Sequence, residues 1–367
     1  VRHLPSAFAF VAAAAACGTT SDTPPAACPP RELVVAASDY SSSRVGGAPA
    51  NADDFASGVD LGKDPALAWS SGHVYFLARD DDLVFELDPS CGTPTARFSV
   101  HDLAPKTRPA NPHDLALASD GTAWVALYNA PTVALVKEGK VVGSIDLSPF
   151  DGDGNPQAES IRIVGDKAYV ALERLDDHDF PQSKQASQML RIDVATHATE
   201  GTVDLVGRDP FGSMAELDGA LYLAEPRSFD IADEDAAGIE RFDTKSGTTA
   251  LLTSEKDLGG SVAEVAVTAG CGAAIVAGPQ KDVNPTSLVS FDPTTGRITG
   301  RAVLGPTPGY DLQGLAWRDG TLYVGDRRAE AGGYRVHVFD RDDACILHES
   351  DRSIVLPQRP VALRPAR

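Results

Sequence analysis

The chain has 367 residues, with 52 acidic against 32 basic side chains, a formal net charge of −20 at pH 7 and 43% apolar residues. That apolar content is ordinary for a globular core, while the negative surface repels phosphate backbones and anionic lipid, which argues against nucleic acid or a charged bilayer as partner. With 33 glycines and 26 prolines the chain turns often, and no 3.6-residue apolar period is sustained for three turns, so strands are expected rather than helices.

A targeting segment comes first in chain order. Arg2 and His3 precede an apolar stretch, residues 4–16, too short to span a bilayer, and small residues lead up to Cys17. The run AAAC resembles the bacterial lipobox, with Ala14 where that motif carries Leu; the alternative is an ordinary secretory peptide cut at an A-x-A site. On the first reading residues 1–16 are a signal peptide, Cys17 is lipidated and residues 17–32, small, polar and Pro-rich, are a flexible tether. Gly18 after Cys17 resembles the enterobacterial signal for the outer membrane. The expected location is therefore the bacterial cell envelope, lipid-anchored at the outer membrane, with the lipid as the sole hold on a membrane.

From residue 33 onward the chain repeats. Five apolar runs end in Asp and a turn: VFELDPSCG, MLRIDVATH, IERFDTKSG, LVSFDPTTG and VHVFDRDDAC, with Asp88, Asp193, Asp243, Asp292 and Asp340, the last four spaced by 50, 49 and 48 residues. VALVKEG holds the place of a copy that lost its Asp. A second strand recurs as AWVAL, AYVAL, LYLAE, AAIVA and LYVGD. A unit of about 50 residues, rich in β-branched residues, is the mark of a β-propeller blade. Each unit reads as strands a, b, c and d, and the Asp after strand c accepts backbone N–H groups to start a turn.

Six complete blades are expected near 64–102, 110–147, 157–205, 210–254, 261–304 and 312–356. A seventh is split: 33–40, 42–49 and 56–61 supply three strands, and RPVALRP (359–365) resembles the inner strand DPALAW (64–69). Pairing the two chain ends removes two free sheet edges. The predicted fold is all-β: a seven-bladed propeller over residues 33–367, four antiparallel strands per blade, closed by a C-terminal strand in the N-terminal blade. A monomer is expected. Trp69 and Trp317 occupy equivalent places in strand a and are expected in the core.

Four cysteines remain besides Cys17, an even number suited to an oxidising compartment, and they allow three pairings. Cys28 and Cys271 fall in a–b connections, Cys91 and Cys345 in c–d turns, all on the bottom face. Pairing Cys28 with Cys91 joins neighbouring blades, and Cys271 with Cys345 repeats that relation.

The chemistry-bearing candidates lie on the top face. SPFDGDGNPQAES (148–160) places Asp151, Asp153 and Asn155 at alternate positions with Glu159 four residues later, hard oxygen donors at calcium-loop spacing. Pro156 and Arg162 stand where a full EF-hand has Gly and Glu, so either a Ca²⁺ site or a plain Asx-rich turn fits. The b–c loop of the fourth blade adds Glu173, Asp176 and Asp177, and His113 and Asp114 open strand a of the third, at the channel mouth. These five are the candidate ligand-binding residues, although a capping role also suits His113. No G-x-S-x-G elbow, P-loop, H-E-x-x-H or dinucleotide fingerprint occurs.

LYVGD, AYVAL and VSFDPTTGRI, recurring blade by blade, resemble the YVTN-type seven-bladed propellers, and the N-terminus is similar to a bacterial lipoprotein's. The resemblance covers residues 33–365 and its motifs are structural. It implies a non-enzymatic envelope lipoprotein that binds an unidentified protein or small molecule through its acidic top face. Gluconolactonase-like propellers, which hold a divalent ion with Glu, two Asn and Asp, supply the alternative of a metal-dependent lactone or ester hydrolase. Glu159, Asn129, Glu225 and Asp326 lie near the corresponding strand ends but out of register with one another.

Overall fold

Strands with both faces apolar must be covered on both sides, and strand b is such a strand in every blade. AWVAL (Ala123–Leu127) and ALYLAE (Ala220–Glu225) are buried at every position, whereas the outermost strand Pro94–Ser99 is almost wholly exposed. Face-to-face stacking of sheets around a ring meets that demand. The computed structural model describes residues 31–48, 61–89, 92–176, 185–227, 235–277, 285–308, 310–330, 333–356 and 358–366.

The chain is a seven-bladed β-propeller. Six sheets have four antiparallel strands in sequence order. Blade one is the composite: Pro360–Pro365 is its inner strand, Leu33–Ser38 the next and Ser43–Ala48 the third, with Leu33 opposite both Pro365 and Ala48. The expected fourth strand, 56–61, lies outside the described residues except Leu61, whose N–H donates to the Ser43 carbonyl. Arg31 and Glu32, assigned by sequence to the tether, are tied to the ring: Arg318 donates to the Arg31 carbonyl, and Tyr323 and Arg352 donate to the Glu32 carboxylate.

The inner strands of blades two to seven are Pro65–Ser70, Pro112–Leu117, Ala158–Val164, Phe211–Leu217, Ser261–Thr268 and Leu312–Arg318. With Pro360–Pro365 they touch in cyclic order around one central channel. Between blades the core is a series of interleaved clusters. Trp124, Val133 and Leu135 of blade three mesh with Ile161, Val170, Leu172 and Leu190 of blade four, so truncating Leu190 to Ala costs about 3 kcal/mol by cavity formation.

The repeated aspartates do what turn chemistry predicts. Asp193 accepts from Thr196 N–H, Asp243 from Lys245 and Ser246, and Asp292 from Thr294 and Thr295. Blade seven departs: Asp340 lies within its strand opposite Thr321, and Asp342 caps the turn through the Ala344 and Ile346 N–H groups. The tryptophans also depart. Trp69 is 43% exposed, and Trp317, at the equivalent next-to-last place of its strand, is only half-buried. The Trp317 ring packs against the blade-six and blade-seven cluster and its Nε1–H donates to the Ala266 carbonyl at 3.3 Å. The aromatic that fills an inter-blade space is Trp124, 1% exposed.

Cys271 and Cys345 form a disulfide, Cα–Cα 5.1 Å, between the a–b turn of blade six and the c–d turn of blade seven, as the topology predicts. Cys17, Cys28 and Cys91 lie outside the described residues.

Candidate functional site: the channel and its mouth

The channel interior is filled by charge. Asp114, 1% exposed, accepts from Arg162 Nη1 at 2.6 Å and from the Ile161 N–H at 3.1 Å. Across the ring, Arg364 of the closing strand donates to Ser213 Oγ at 3.2 Å and sits in the field of Glu264, with burial drawing its pKa down. Glu264 in turn accepts from the Gly314 and Leu315 N–H groups at 2.8 and 2.9 Å. Gly314 has φ +93° and a Cβ there would meet Leu363 Cγ at 2.8 Å, so only glycine permits that approach. Anionic and cationic side chains from facing strands thus hold one another. Asp114 belongs to this plug beneath the mouth.

The mouth is built from the second residues of successive inner strands. His113 and Glu159 occupy that place in blades three and four, and the His113 Nδ1–Glu159 Oε2 distance is 2.5 Å. Gly212, in the same place in blade five, donates its N–H to Glu159 Oε1 at 2.7 Å. The His113 ring stacks on Tyr128, centroids 4.2 Å apart, and its Nε2 lies 3.3 Å from Arg79 Nη1. Arg79 also donates to Asp64 Oδ1 at 2.5 Å. An Nδ1–H tautomer satisfies all of this, donating to Glu159 and accepting from Arg79.

Protonation differs sharply among these carboxyls. Burial alone raises Glu159, but His113, the Gly212 N–H and Arg79 outweigh it and hold the group below its usual pKa. Glu173, which accepts from Tyr128 Oη at 2.6 Å, is pushed well above its usual pKa by burial, then by Glu159 and Asp209. Asp209 is pushed up to about 7 by burial and by Glu159. Farther into blade five, Glu225 is 0% exposed and raised by burial and by Glu240. Glu240 accepts from the Val206 and Gly207 N–H groups at 3.0 and 2.7 Å. Five carboxyls, Glu173, Glu159, Asp209, Glu225 and Glu240, therefore influence one another in sequence across two blades. Beside them stand two exposed apolar groups, Phe211 at 44% and Val206 at 46%.

Of the residues singled out by sequence, the structure brings His113, Glu159 and Glu173 together, and Asp114 lies below them. Asp176 follows Glu173 three residues on, half-buried, and Asp177 is outside the described residues. Asp151, Asp153 and Asn155 sit on the d–a loop before blade four, while both oxygens of Glu159 face His113 and Gly212. Asp326 is held by Arg328 and by His337 Nε2 at 3.0 Å, so Glu159, Glu225 and Asp326 each have a different set of neighbours. Among the described residues no three His, Cys, Asp or Glu side chains are grouped to hold a metal. Sequence reasoning missed Arg79, Tyr128, Asp209 and Glu240. The signal that finds the mouth is the register of the inner strands, which aligns His113, Glu159 and Gly212.

Neither a protein-family model nor a curated protein matches the sequence. Solved structures do match the fold. Hydrazine synthase of Kuenenia stuttgartiensis aligns at TM-score 0.58 with 15% identity, over 83% of this chain and 91% of that one. Apo AztD from Citrobacter koseri aligns at 0.54 with 12% identity, over 91% and 97%, and BamB from Moraxella catarrhalis at 0.51 with 13% identity, over 91% and 88%. At such identities the likeness is one of fold. One of the three names is an enzyme's, so the propeller alone does not choose between binding and catalysis. No helix among the described residues is long and apolar enough to cross a membrane.

Proposed function

We propose that the protein is a non-enzymatic cell-envelope lipoprotein, anchored through Cys17, whose propeller binds a cationic group of a protein or small-molecule partner at the channel mouth. The observation that carries this reading is the pairing at the mouth of half-buried Asp209, which titrates near neutrality, with the exposed apolar surface of Phe211. A cation arriving there replaces the proton that burial now favours, and the ring beside it covers the apolar part of the ligand. The ionised Glu159 below is already satisfied by His113 and Gly212, so it orders the site rather than reacting.

A photo-crosslinking residue placed at Phe211 in cells should yield a specific adduct that is lost in Asp209→Asn, while the same probe at Thr95 on the opposite face yields none. Equal labelling from both faces would remove the reading. For the anchor, Cys17→Ser should move processed protein from the membrane to the soluble fraction; processed variant that stays with the membrane would show that the lipid is not the anchor.

A further inference from the structure

We propose that the loop Asp151–Asn155 is a weak calcium site, formed by Asp151 and Asn155 with Asp153 and backbone carbonyls, that fastens both ends of the blade-four b–c connection.

Two independent observations meet in this loop. The first is its sequence: oxygen-bearing side chains at alternate positions separated by Gly152 and by Gly154, whose φ is +87°. The loop is closed by the Gly154 N–H on the Asp151 carbonyl at 3.2 Å and by the Asn155 N–H on Asp153 Oδ1 at 2.9 Å. The second is burial without satisfaction. Asp151 is 9% exposed and Asn155 7%, yet Asp151 Oδ2 and both amide atoms of Asn155 are buried with no hydrogen-bond partner among the described residues. A buried carboxylate oxygen and a buried amide oxygen four residues apart, with nothing donating to them, call for a cation.

The donor set chooses the ion. Carboxylate, amide and carbonyl oxygens without sulfur or imidazole suit a hard cation, and a glycine-jointed loop of mixed donors suits the irregular coordination of Ca²⁺ better than the octahedron of Mg²⁺. The expected fourth side chain, Glu159, is engaged elsewhere, so the site carries less charge than the sequence spacing implies. A dissociation constant on the order of 10⁻⁴ to 10⁻³ M follows, the range of extracellular modules.

The loop is also wired to its surroundings. Asp151 Oδ1 accepts from Gln185 Nε2 at 2.7 Å, and Gln185 Oε1 accepts from Arg174 Nη2 at 2.7 Å. The Arg174 N–H donates to the Pro156 carbonyl at 3.1 Å. Residues 174 and 185 flank the b–c connection, so an ion on Asp151 ties both flanks to the d–a loop. This proposal is independent of what binds at the channel mouth.

The test is calorimetric titration of the full mature chain with CaCl₂ after EGTA treatment, with MgCl₂ as comparison. One Ca²⁺ should bind in the stated range, with Mg²⁺ at least tenfold weaker. Asp151→Asn should weaken Ca²⁺ at least tenfold, and Asn155→Asp, which adds a charge without removing a donor, should tighten it. Asp120→Asn, on a bottom-face turn, should change nothing. If Asp151→Asn does not fold, the Asn155→Asp comparison decides alone. Absence of binding, or an affinity indifferent to Asn155→Asp, overturns the proposal and leaves buried water as the partner of these oxygens.

Discussion

The two faces of the ring use the same side chain to opposite ends. On the bottom, Asp193, Asp243, Asp292 and Asp342 accept N–H groups of their own turns and lie at the surface; the Lys167 ammonium first and then its turn lower the pKa of Asp193, and the turn contacts lower those of the other three. At the mouth, Glu173 and Glu225 are enclosed and Asp209 is half-buried, and burial raises the pKa values of all three. The bottom carboxylates are stabilised by being charged, the upper ones by being neutral. The repeated residue builds the blade, and the unrepeated ones stand where blades meet and a ligand can arrive.

The largest expected effect concerns the covalent staple of the bottom face. Replacing Cys271 and Cys345 together by Ser frees a loop of 74 residues and should cost about 4 kcal/mol in the chain-entropy model, measured by denaturant unfolding. Peptide mapping of the non-reduced protein should return a second pair, Cys28–Cys91; Cys28 joined to Cys345 would break the symmetry proposed for these staples.

Next is Glu159→Ala, which leaves His113 and the Gly212 N–H without their acceptor and should cost about 3 kcal/mol, well above any bottom-face cap. A loss no greater than a cap's would mean the mouth is as solvated as the turns.

Third is a difference of sign. Asp209 has a folded pKa of about 7 against the ordinary 3.8 of an aspartate, so the native state holds the extra proton between them and stability falls as pH rises through that interval. Asp209→Asn should flatten this slope and stabilise the protein at pH 8 by about 2 kcal/mol, discounted for its open side. The turn aspartates act oppositely, losing their contribution only as pH falls below 3.8. An unchanged slope in Asp209→Asn would place the titration elsewhere among the five carboxyls.

The smallest effect is Asp292→Ala, which removes the acceptor of the Thr294 and Thr295 N–H groups and should cost about 1 kcal/mol, independent of pH between 6 and 8.

Nearly all of the architecture was legible because blade structure is local: a turn after Asp and an apolar strand b recur at fixed spacing. Errors arose where repetition gives no information about solvent. Trp69 and Trp317 match in sequence and in place, yet neither is a core residue: the first is 43% exposed and the second half-buried. Asp340 kept the spacing while Asp342 took the turn. Half of the site was legible because His113 and Glu173 stand at blade ends with unusual polarity. Arg79, Tyr128 and Asp209 escaped because their meaning depends on partners in other blades: Tyr128 looks like a strand-end aromatic until Glu173 is placed against its hydroxyl. Arg364 escaped for the same reason, having its partners on strands of blades five and six.

The joining of Leu33 to Pro365 carries a kinetic consequence. Blades two to seven each fold from contiguous chain, with short loops to close. Blade one must bring together segments from opposite ends, and the entropy of that long closure is spent before its hydrogen bonds and the Arg364 contacts form. Refolding should therefore run through an open crescent whose end blades expose apolar faces. Until the last strand docks, the channel has no far wall, and the mouth that depends on that wall has no fixed shape.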